Sequence, residues 1–167
     1  MKPEFLIHPL TPADRDWVNR SMVKEWGAVI VVSHGAVFHP ADFPGYSATI
    51  GEAVAGLITY NILGDECEIL TLNSWRENMG IGSALIKEVQ RTAASAGCTR
   101  LYLITTNNNL HALRFYQKRG FVLSALRVNA IAKSRILKPQ IPLFDENEIS
   151  IRDEIELEMQ VKKRESY

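Results

Sequence analysis

A pair of glycines one residue apart, directly before an amphipathic run, constrains the fold most. Gly80 and Gly82 lie in the stretch WRENMGIGSALI, although glycine inside a helix costs roughly 0.5–1 kcal/mol relative to alanine. The pattern predicts a strand over Cys67–Leu72 before the pair, then a helix over 82–96 and a strand over Arg100–Thr106. A strand, a helix and a strand in this order predict a crossover between two parallel neighbours.

The rest of the chain predicts strands joined mostly by hairpins, with helices between some of them. Strands are predicted over 4–10, 28–33, 46–51, 53–60, 121–127 and 154–161, helices over 12–26, 110–119 and 128–138, and loops over 34–45 and 140–150. These elements predict an α/β fold of the α+β type. Its mixed, mostly antiparallel sheet has six to seven strands, a central parallel pair and helices on both faces. We expect one domain over residues 1–167, since 167 residues suffice for one core.

The net charge, the short aliphatic runs and the cysteine content exclude several classes of protein. The 19 basic and 19 acidic side chains give a formal net charge of zero, whereas a dedicated nucleic-acid-binding protein normally carries a basic excess. The longest aliphatic run, Ala28–Val32, is too short to span a membrane, and MKPEFLIHPL is not a signal peptide. Cys67 and Cys98 make no disulfide framework. We therefore expect a cytoplasmic protein with free thiols that binds neither nucleic acid nor membranes.

The glycine pair is typical of a phosphate site as well as of a tight turn. The first turn of a helix leaves N–H groups without partners, and the helix dipole adds partial positive charge there. A dinucleotide fingerprint is excluded because Leu85 stands where a third glycine is required, and a P-loop is excluded because Ser83 and Ala84, not Lys and Ser/Thr, follow Gly82. Backbone amides alone would therefore hold a phosphate here.

A second motif follows in NLHALRFYQKRGF, residues 109–121. Together with the glycine pair, it resembles the GNAT superfamily, whose members transfer acyl groups from acyl-CoA. The phosphate motif of that family, Gln/Arg-x-x-Gly-x-Gly/Ala, matches at both glycines, but Glu77 stands at the Gln/Arg position. The second hallmark is matched by Asn109, Ala112, Phe115, Tyr116, Gly120 and Phe121. The last third of the chain also resembles uncharacterised bacterial GNAT proteins.

The resemblance implies an N-acetyltransferase that moves an acetyl group from acetyl-CoA to a primary amine by direct attack, without a metal. The positions it implies for coenzyme A are Leu70, Thr71, Leu72, Glu77, Asn78, Met79, Gly80, Ile81, Gly82, Ser83, Asn109, Ala112, Tyr116 and Lys118. Residues 80–83 would present N–H groups to the pyrophosphate, and the backbone of residues 70–72 would pair with the pantetheine arm. The N–H of Leu72 would face the thioester oxygen as an oxyanion hole.

Three side chains are candidates for proton transfer. By the resemblance, Tyr116 would donate a proton to the departing thiolate; otherwise it is an aromatic residue of the core. Glu68 and Glu66 are candidates for the base that takes a proton from the amine, with Glu68 nearer the reaction centre, and the alternative is that both are solvated. Strict alternation along the strand would place both glutamates on the side of Leu70 and Leu72.

Other features leave alternatives open. Asn109 is a helix cap, a cofactor contact or both. The acids within 145–158 form either a solvated face, which we favour, or an anionic lip that attracts a cationic amine. Lys118, like Arg114 and Arg119, either meets the 3′-phosphate of coenzyme A or is merely solvated. The histidines show no metal-ligand spacing, and neither cysteine has an activating neighbour, which favours direct transfer over a cysteine intermediate.

The sequence also leaves the acceptor open between a small-molecule amine, an amino acid, a peptide N-terminus and a protein lysine. One rival function is a catalytically silent domain that senses coenzyme A or binds a partner. The other is a related enzyme that uses a different acyl-CoA or an oxygen acceptor. Exposed sheet edges would permit a homodimer.

Overall fold

The computed structural model describes residues 4–162, so the ends of the expected domain, 1–3 and 163–167, lie outside the described residues. Within 4–162 the elements are β1 Leu6–Pro9, α1 Arg15–Trp26, β2 Val31–Ser33, β3 Ala36–Phe38, β4 Gly45–Ile50, β5 Ala53–Leu63, β6 Glu66–Ser74, α2 Ile81–Ser95, β7 Arg100–Thr106, α3 Leu110–Gln117, β8 Val122–Arg127, α4 Ala130–Leu137 and β9 Glu154–Gln160. None of the helices in this range is long and apolar enough to cross a membrane.

Seven strands form one sheet in the order β1-β4-β5-β6-β7-β9-β8. β6 and β7 are parallel, and every other neighbouring pair in this sheet is antiparallel. The crossover between the two parallel strands contains α2, as the order of elements around the glycine pair predicts. The expected mixed, mostly antiparallel sheet with a central parallel pair is confirmed.

Helices cover both faces of the sheet, and each face has its own apolar core. On one face, Val18 and Met22 of α1 pack against Leu57 of β5, and none of the three is more than 1% exposed. On the other face, Leu85 and Val89 of α2 are fully buried in a larger cluster. The four-residue spacing along α1 and α2 puts these apolar side chains on one stripe of each helix, which explains how both helices dock.

The segment 34–45, predicted as a loop, contains strand β3. This strand pairs with β2 in a separate two-stranded hairpin. His34 and Gly35 form its turn, and both have positive φ, at 52° and 73°, as the common two-residue hairpin turns require. The loop prediction is therefore wrong at this point, and the strand predicted from residue 28 begins at Val31.

A bulge in β6 changes which of its side chains share a face. The pairing with β5 shifts at Leu70, which has no residue opposite it. Glu68 lies opposite Asn61, whereas Leu72 lies opposite Ile58. Asn61 and Ile58 are three residues apart on β5, so their side chains point to opposite faces of the sheet. Glu68 and Leu72, which lie opposite them, therefore also point to opposite faces. The expectation that both glutamates share a side with Leu72 is therefore wrong.

Two of the three acids of β9 are buried. Glu154 and Glu156 are 2% and 5% exposed, because β9 lies between β7 and β8 and has neighbours on both sides. Arg100 of β7 and Arg127 of β8 each bind the carboxylate of Glu156 at 2.5 Å. The favoured expectation of a solvated acidic face is wrong for these two residues. The charge of Glu156 is paired with two arginines within the sheet, so it is not available to attract an amine.

Candidate active site

The parallel strands β6 and β7 separate toward their carboxyl ends. Their pairing ends at Ile69 and Leu103, although β6 continues to Ser74 and β7 to Thr106. A cavity of about 340 Å³ occupies this gap, and β6, β7, α2 and α3 line it. Beyond the last paired residues, the edge of β6 that faces β7 is free of strand pairing, so a ligand in the gap can reach its backbone.

The first turn of α2 begins at the edge of this cavity. Gly80 is the N-cap with a φ of 79°, a conformation that favours glycine. The turn carries no acidic side chain, and the first N–H groups of a helix have no partner within it. A Cβ on Gly80 would meet no atom within 4 Å. The open space, the unpaired amides and the absence of acids fit a diphosphate at this turn.

Gly82 is required by packing rather than by its conformation. A Cβ on it would lie 2.9 Å from Cζ of Phe115, so the ring of Phe115 rests directly on the first turn of α2. Arg119 adds a second link: its Nε donates a hydrogen bond of 2.8 Å to Oγ of Ser83, and its guanidinium lies 3.4 Å over the Phe115 ring. These contacts join the first turn of α2 to α3, and they engage Arg119, which was also a candidate for the 3′-phosphate.

Tyr116 lies on α3 and lines the same cavity. It is 8% exposed, and its ring packs edge-on against Phe115 and Phe121 with centroids 5.1 and 5.3 Å apart. Burial raises the pKa of Tyr116 well above its ordinary value, and the charge of Arg119 opposes this only in part. The phenol is therefore protonated at neutral pH, the state that a proton donor needs.

The structure brings some of the predicted coenzyme A residues to this cavity and places others around its rim. Those that line it are Leu70, Thr71, Leu72, Gly82, Asn109, Ala112 and Tyr116. Those in the connection to α2 or in its first turn are Glu77, Asn78, Met79, Gly80, Ile81 and Ser83. Lys118 is exposed just after α3. Asn109 is the cap of α3, since its side chain accepts a hydrogen bond of 3.1 Å from the N–H of Ala112.

A second cavity, of about 480 Å³, adjoins the first. The two share Ile69 and Leu70 of β6, Ile104 and Thr105 of β7, Asn109, and the end of α1. The remaining walls of the second cavity include β2, α4, the segment after α4, the start of β9, and Glu68 of β6. The two cavities therefore meet at the point where β6 and β7 separate.

Glu68 lines the second cavity and is 5% exposed. The hydroxyl of Ser33 donates a hydrogen bond of 2.5 Å to one of its oxygens, and the hydroxyl of Tyr102 donates one of 3.2 Å to the other. Burial raises the pKa of Glu68 above its usual value, and these two hydrogen bonds offset the rise only in part. A carboxylate with a pKa shifted toward neutrality is a better general base. No sequence motif pointed to Ser33 or Tyr102, which lie more than 30 residues from Glu68.

Glu66 lines neither cavity. Its carboxylate accepts a hydrogen bond of 3.0 Å from Nε of Arg100, and its side chain is 45% exposed. Of the two candidate bases, the structure brings only Glu68 to the gap between the strands. Glu68 is one residue from the end of the β6–β7 pairing at Ile69 and Leu103, whereas Glu66 is three residues from it.

This fold and this site define a class of protein, an acyl-CoA-dependent acetyltransferase. A sequence profile of the acetyltransferase (GNAT) family matches residues 13–121. Over 153 residues the chain is 46% identical to the uncharacterized protein YdhI of Bacillus subtilis (strain 168), which covers 90% of this chain and 95% of YdhI. The chain belongs to the GNAT family of acetyltransferases. The resemblance read from the two motifs is confirmed, as are the enzyme class and its acyl-CoA cosubstrate.

Two solved structures share the fold. An IAA acetyltransferase from Bacillus cereus ATCC 14579 is 22% identical with a TM-score of 0.70, and the match covers 94% of this chain and 99% of that one. A GNAT family acetyltransferase from Elizabethkingia anophelis with acetyl-CoA bound is 22% identical with a TM-score of 0.66, and the match covers 95% of this chain and 99% of that one. At this level of identity the likeness concerns the fold.

Proposed function

We propose that residues 1–167 form one acyltransferase domain that moves the acetyl group of acetyl-CoA to a primary amine by direct attack. The observation that carries the proposal is the end of β6–β7 pairing at Ile69 and Leu103. It leaves a gap where two cavities meet, and Tyr116 lines one of them while Glu68 lines the other. Two reactants can thus approach one point from opposite sides, which is what transfer between them requires.

The first cavity is assigned to coenzyme A, which supplies the acetyl group as an activated thioester. The amides of residues 80–83 bind its pyrophosphate, beside the loop of residues 77–79. The unpaired edge of residues 70–72 binds the pantetheine arm as a further strand would. The N–H of Leu72 stabilises the negative charge that develops on the thioester oxygen. Lys118 is assigned to the outer part of the cofactor.

The second cavity is assigned to the amine, with Glu68 as the base. The amine nitrogen forms a bond to the acetyl carbon, and its proton passes to Glu68. The carbon–sulfur bond then breaks, and Tyr116 donates its proton to the thiolate. Burial raises the pKa of Cys67 to about 12, so this residue remains a thiol. That state supports direct attack rather than an acetylated cysteine.

The test combines calorimetry of acetyl-CoA binding with thiol release over a panel of primary amines. We expect Tyr116→Phe to bind acetyl-CoA as the wild type does and to turn over about 10²–10⁴-fold more slowly. Tyr46→Phe is the matched control, because its hydroxyl contacts Thr92 outside both cavities. Absence of binding would overturn the proposal. Binding without turnover of any amine would favour a domain that senses coenzyme A.

A further inference from the structure

Lys138 is a buried cation in the second cavity, just after the end of α4. The residue is 7% exposed, and its Nζ donates a hydrogen bond of 3.1 Å to the carbonyl oxygen of Ile30. Among residues 4–162, no carboxylate forms an ion pair with it. Burial lowers the pKa of Lys138.

An ammonium group in this position is costly for the folded protein. A buried charge normally has a partner of opposite charge, because leaving water is unfavourable and only a counter-charge offsets the loss. An ammonium also has three donors, and the carbonyl of Ile30 takes one of them. The remaining donors and the uncompensated charge suit an anionic group that enters the cavity with a ligand.

Three acids of the same cavity lie on other walls, and one of them, Glu25 near the end of α1, is exposed. Glu68 stands on β6 beside the gap, and Glu154 stands at the start of β9. Glu154 is 2% exposed, and its Oε2 has no hydrogen-bond partner, since the nearest guanidinium nitrogen of Arg127 is 3.7 Å away. Among residues 4–162, neither carboxylate forms an ion pair with Lys138. The cavity thus holds a basic side chain on one wall and acidic side chains on others.

The surface between these charged walls is largely apolar. The residues that form it include Val31, Ile69, Leu70, Ile104, Ile131 and Ile151. An acceptor that satisfies the whole cavity therefore has an amine, an anionic group and an apolar body. A peptide N-terminus and a protein lysine each lack an anionic group next to the reacting amine.

We propose that the acceptor is a free amino acid with an apolar side chain, whose carboxylate binds Lys138 while its amine faces Glu68. This inference rests on the proposed function and narrows its substrate class. In the reaction the amine loses its proton to Glu68 and forms the amide, and the carboxylate stays on Lys138 unchanged. Lys138 is thus a specificity residue that selects the acceptor without taking part in the chemistry.

The experiment compares each amino acid with its neutral carboxamide, using leucine, methionine, phenylalanine and their amides with saturating acetyl-CoA. We expect the wild type to prefer the acids by about tenfold or more in kcat/KM, the usual effect of one charge-assisted hydrogen bond. Lys138→Gln removes this preference by slowing the acids alone, whereas Lys138→Arg retains part of it. Lys133→Gln, an exposed lysine on the same helix, leaves the preference unchanged.

The readout separates binding of the carboxylate from a structural role of Lys138. If the lysine only holds α4 against Ile30, its replacement lowers kcat/KM for acids and amides equally, and the inference fails. It also fails if the wild type turns over simple amines or amides but shows no preference for the acids. Failure of the wild type to bind acetyl-CoA, or to acetylate any amine at all, refutes the proposed function itself.

Discussion

The hydroxyl of Ser33 donates a hydrogen bond of 2.5 Å to Oε1 of Glu68, across 35 residues of sequence. Ser33 is the last residue of β2, whose hairpin with β3 belongs to no larger sheet within residues 4–162. The hairpin therefore holds a buried carboxylate at the wall of the second cavity. Tyr102 holds the second oxygen from β7.

The pH dependence of kcat/KM tests this contact. Glu68 must be ionised to act as a base, so activity is lost as the pH falls through its pKa, which burial raises. The hydrogen bond from Ser33 stabilises the ionised form and lowers the pKa. Ser33→Ala removes it, so we expect the acid limb to move to higher pH by about one unit. Ser124→Ala, which loses a contact to Glu156, is the control, and an unmoved limb in Ser33→Ala would contradict the role of Glu68.

The two candidate bases are distinguished by matched replacements. Glu68→Gln keeps the shape of a side chain that lines the acceptor cavity and removes its basicity, so we expect kcat/KM to fall by about 10²–10⁴-fold. Glu66→Gln removes only a part-exposed ion pair with Arg100, so we expect a change of less than about threefold. Steady-state kinetics with acetyl-CoA saturating measures both. Equal losses, or the reverse order, would show that Glu68 is not the base.

The open space at Gly80 predicts a specific loss of cofactor affinity. Gly80→Ala places an alanine in the left-handed backbone conformation at the first turn of α2. Gly64→Ala does the same in the turn between β5 and β6. In both variants the added Cβ meets no atom within 4 Å. Both replacements should cost about 1–2 kcal/mol in the free energy of unfolding. Only Gly80→Ala should weaken acetyl-CoA binding, which calorimetry measures. Equal affinity in the two variants would place the pyrophosphate elsewhere.

Gly82 predicts a different result because its constraint is steric. Gly82→Ala would bring a Cβ within 2.9 Å of Cζ of Phe115, so the ring must shift, and we expect it to displace α3. Since Tyr116 lies on α3, we expect kcat to fall together with affinity for acetyl-CoA, by about tenfold each. The paired measurement is single-turnover thiol release and calorimetry. A variant with weakened binding and wild-type kcat would show that the ring moves without α3.

The α1 core predicts a stability effect with a matched control. Leu57 of β5 is fully buried against α1, whereas Leu63 at the end of the same strand is 78% exposed. Leu57→Ala should therefore lower the free energy of unfolding by about 2–5 kcal/mol, and Leu63→Ala should change it by less than about 0.5 kcal/mol. Urea unfolding followed by circular dichroism measures both. Because the end of α1 lines both cavities, Leu57→Ala should also raise KM. Similar free energies of unfolding in the two variants would contradict the assignment of Leu57 to the core.

Local patterns predicted most of the fold and one half of the site. The four-residue apolar spacing of α1 and α2 and the β-branched composition of β7 are visible in short windows, and each produces its element. The residues proposed to bind coenzyme A could also be selected from the sequence, because the turn at Gly80 and the motif on α3 are each contiguous in sequence. The hairpin of β2 and β3 could not, since its turn at His34 has no signature beyond one glycine.

By itself, the sequence determined the order of the helices and of every strand except β3, the crossover at the glycine pair and the family. Only the tertiary structure decided that Glu68 rather than Glu66 reaches the gap, and that Lys138 lies in the cavity beside Ile30, 108 residues away. The physical reason is that helices and turns form from contacts between near neighbours, whereas the acceptor cavity is built by distant segments. Its composition depends on strand register, and one bulge at Leu70 is enough to reverse the face to which the following side chains point.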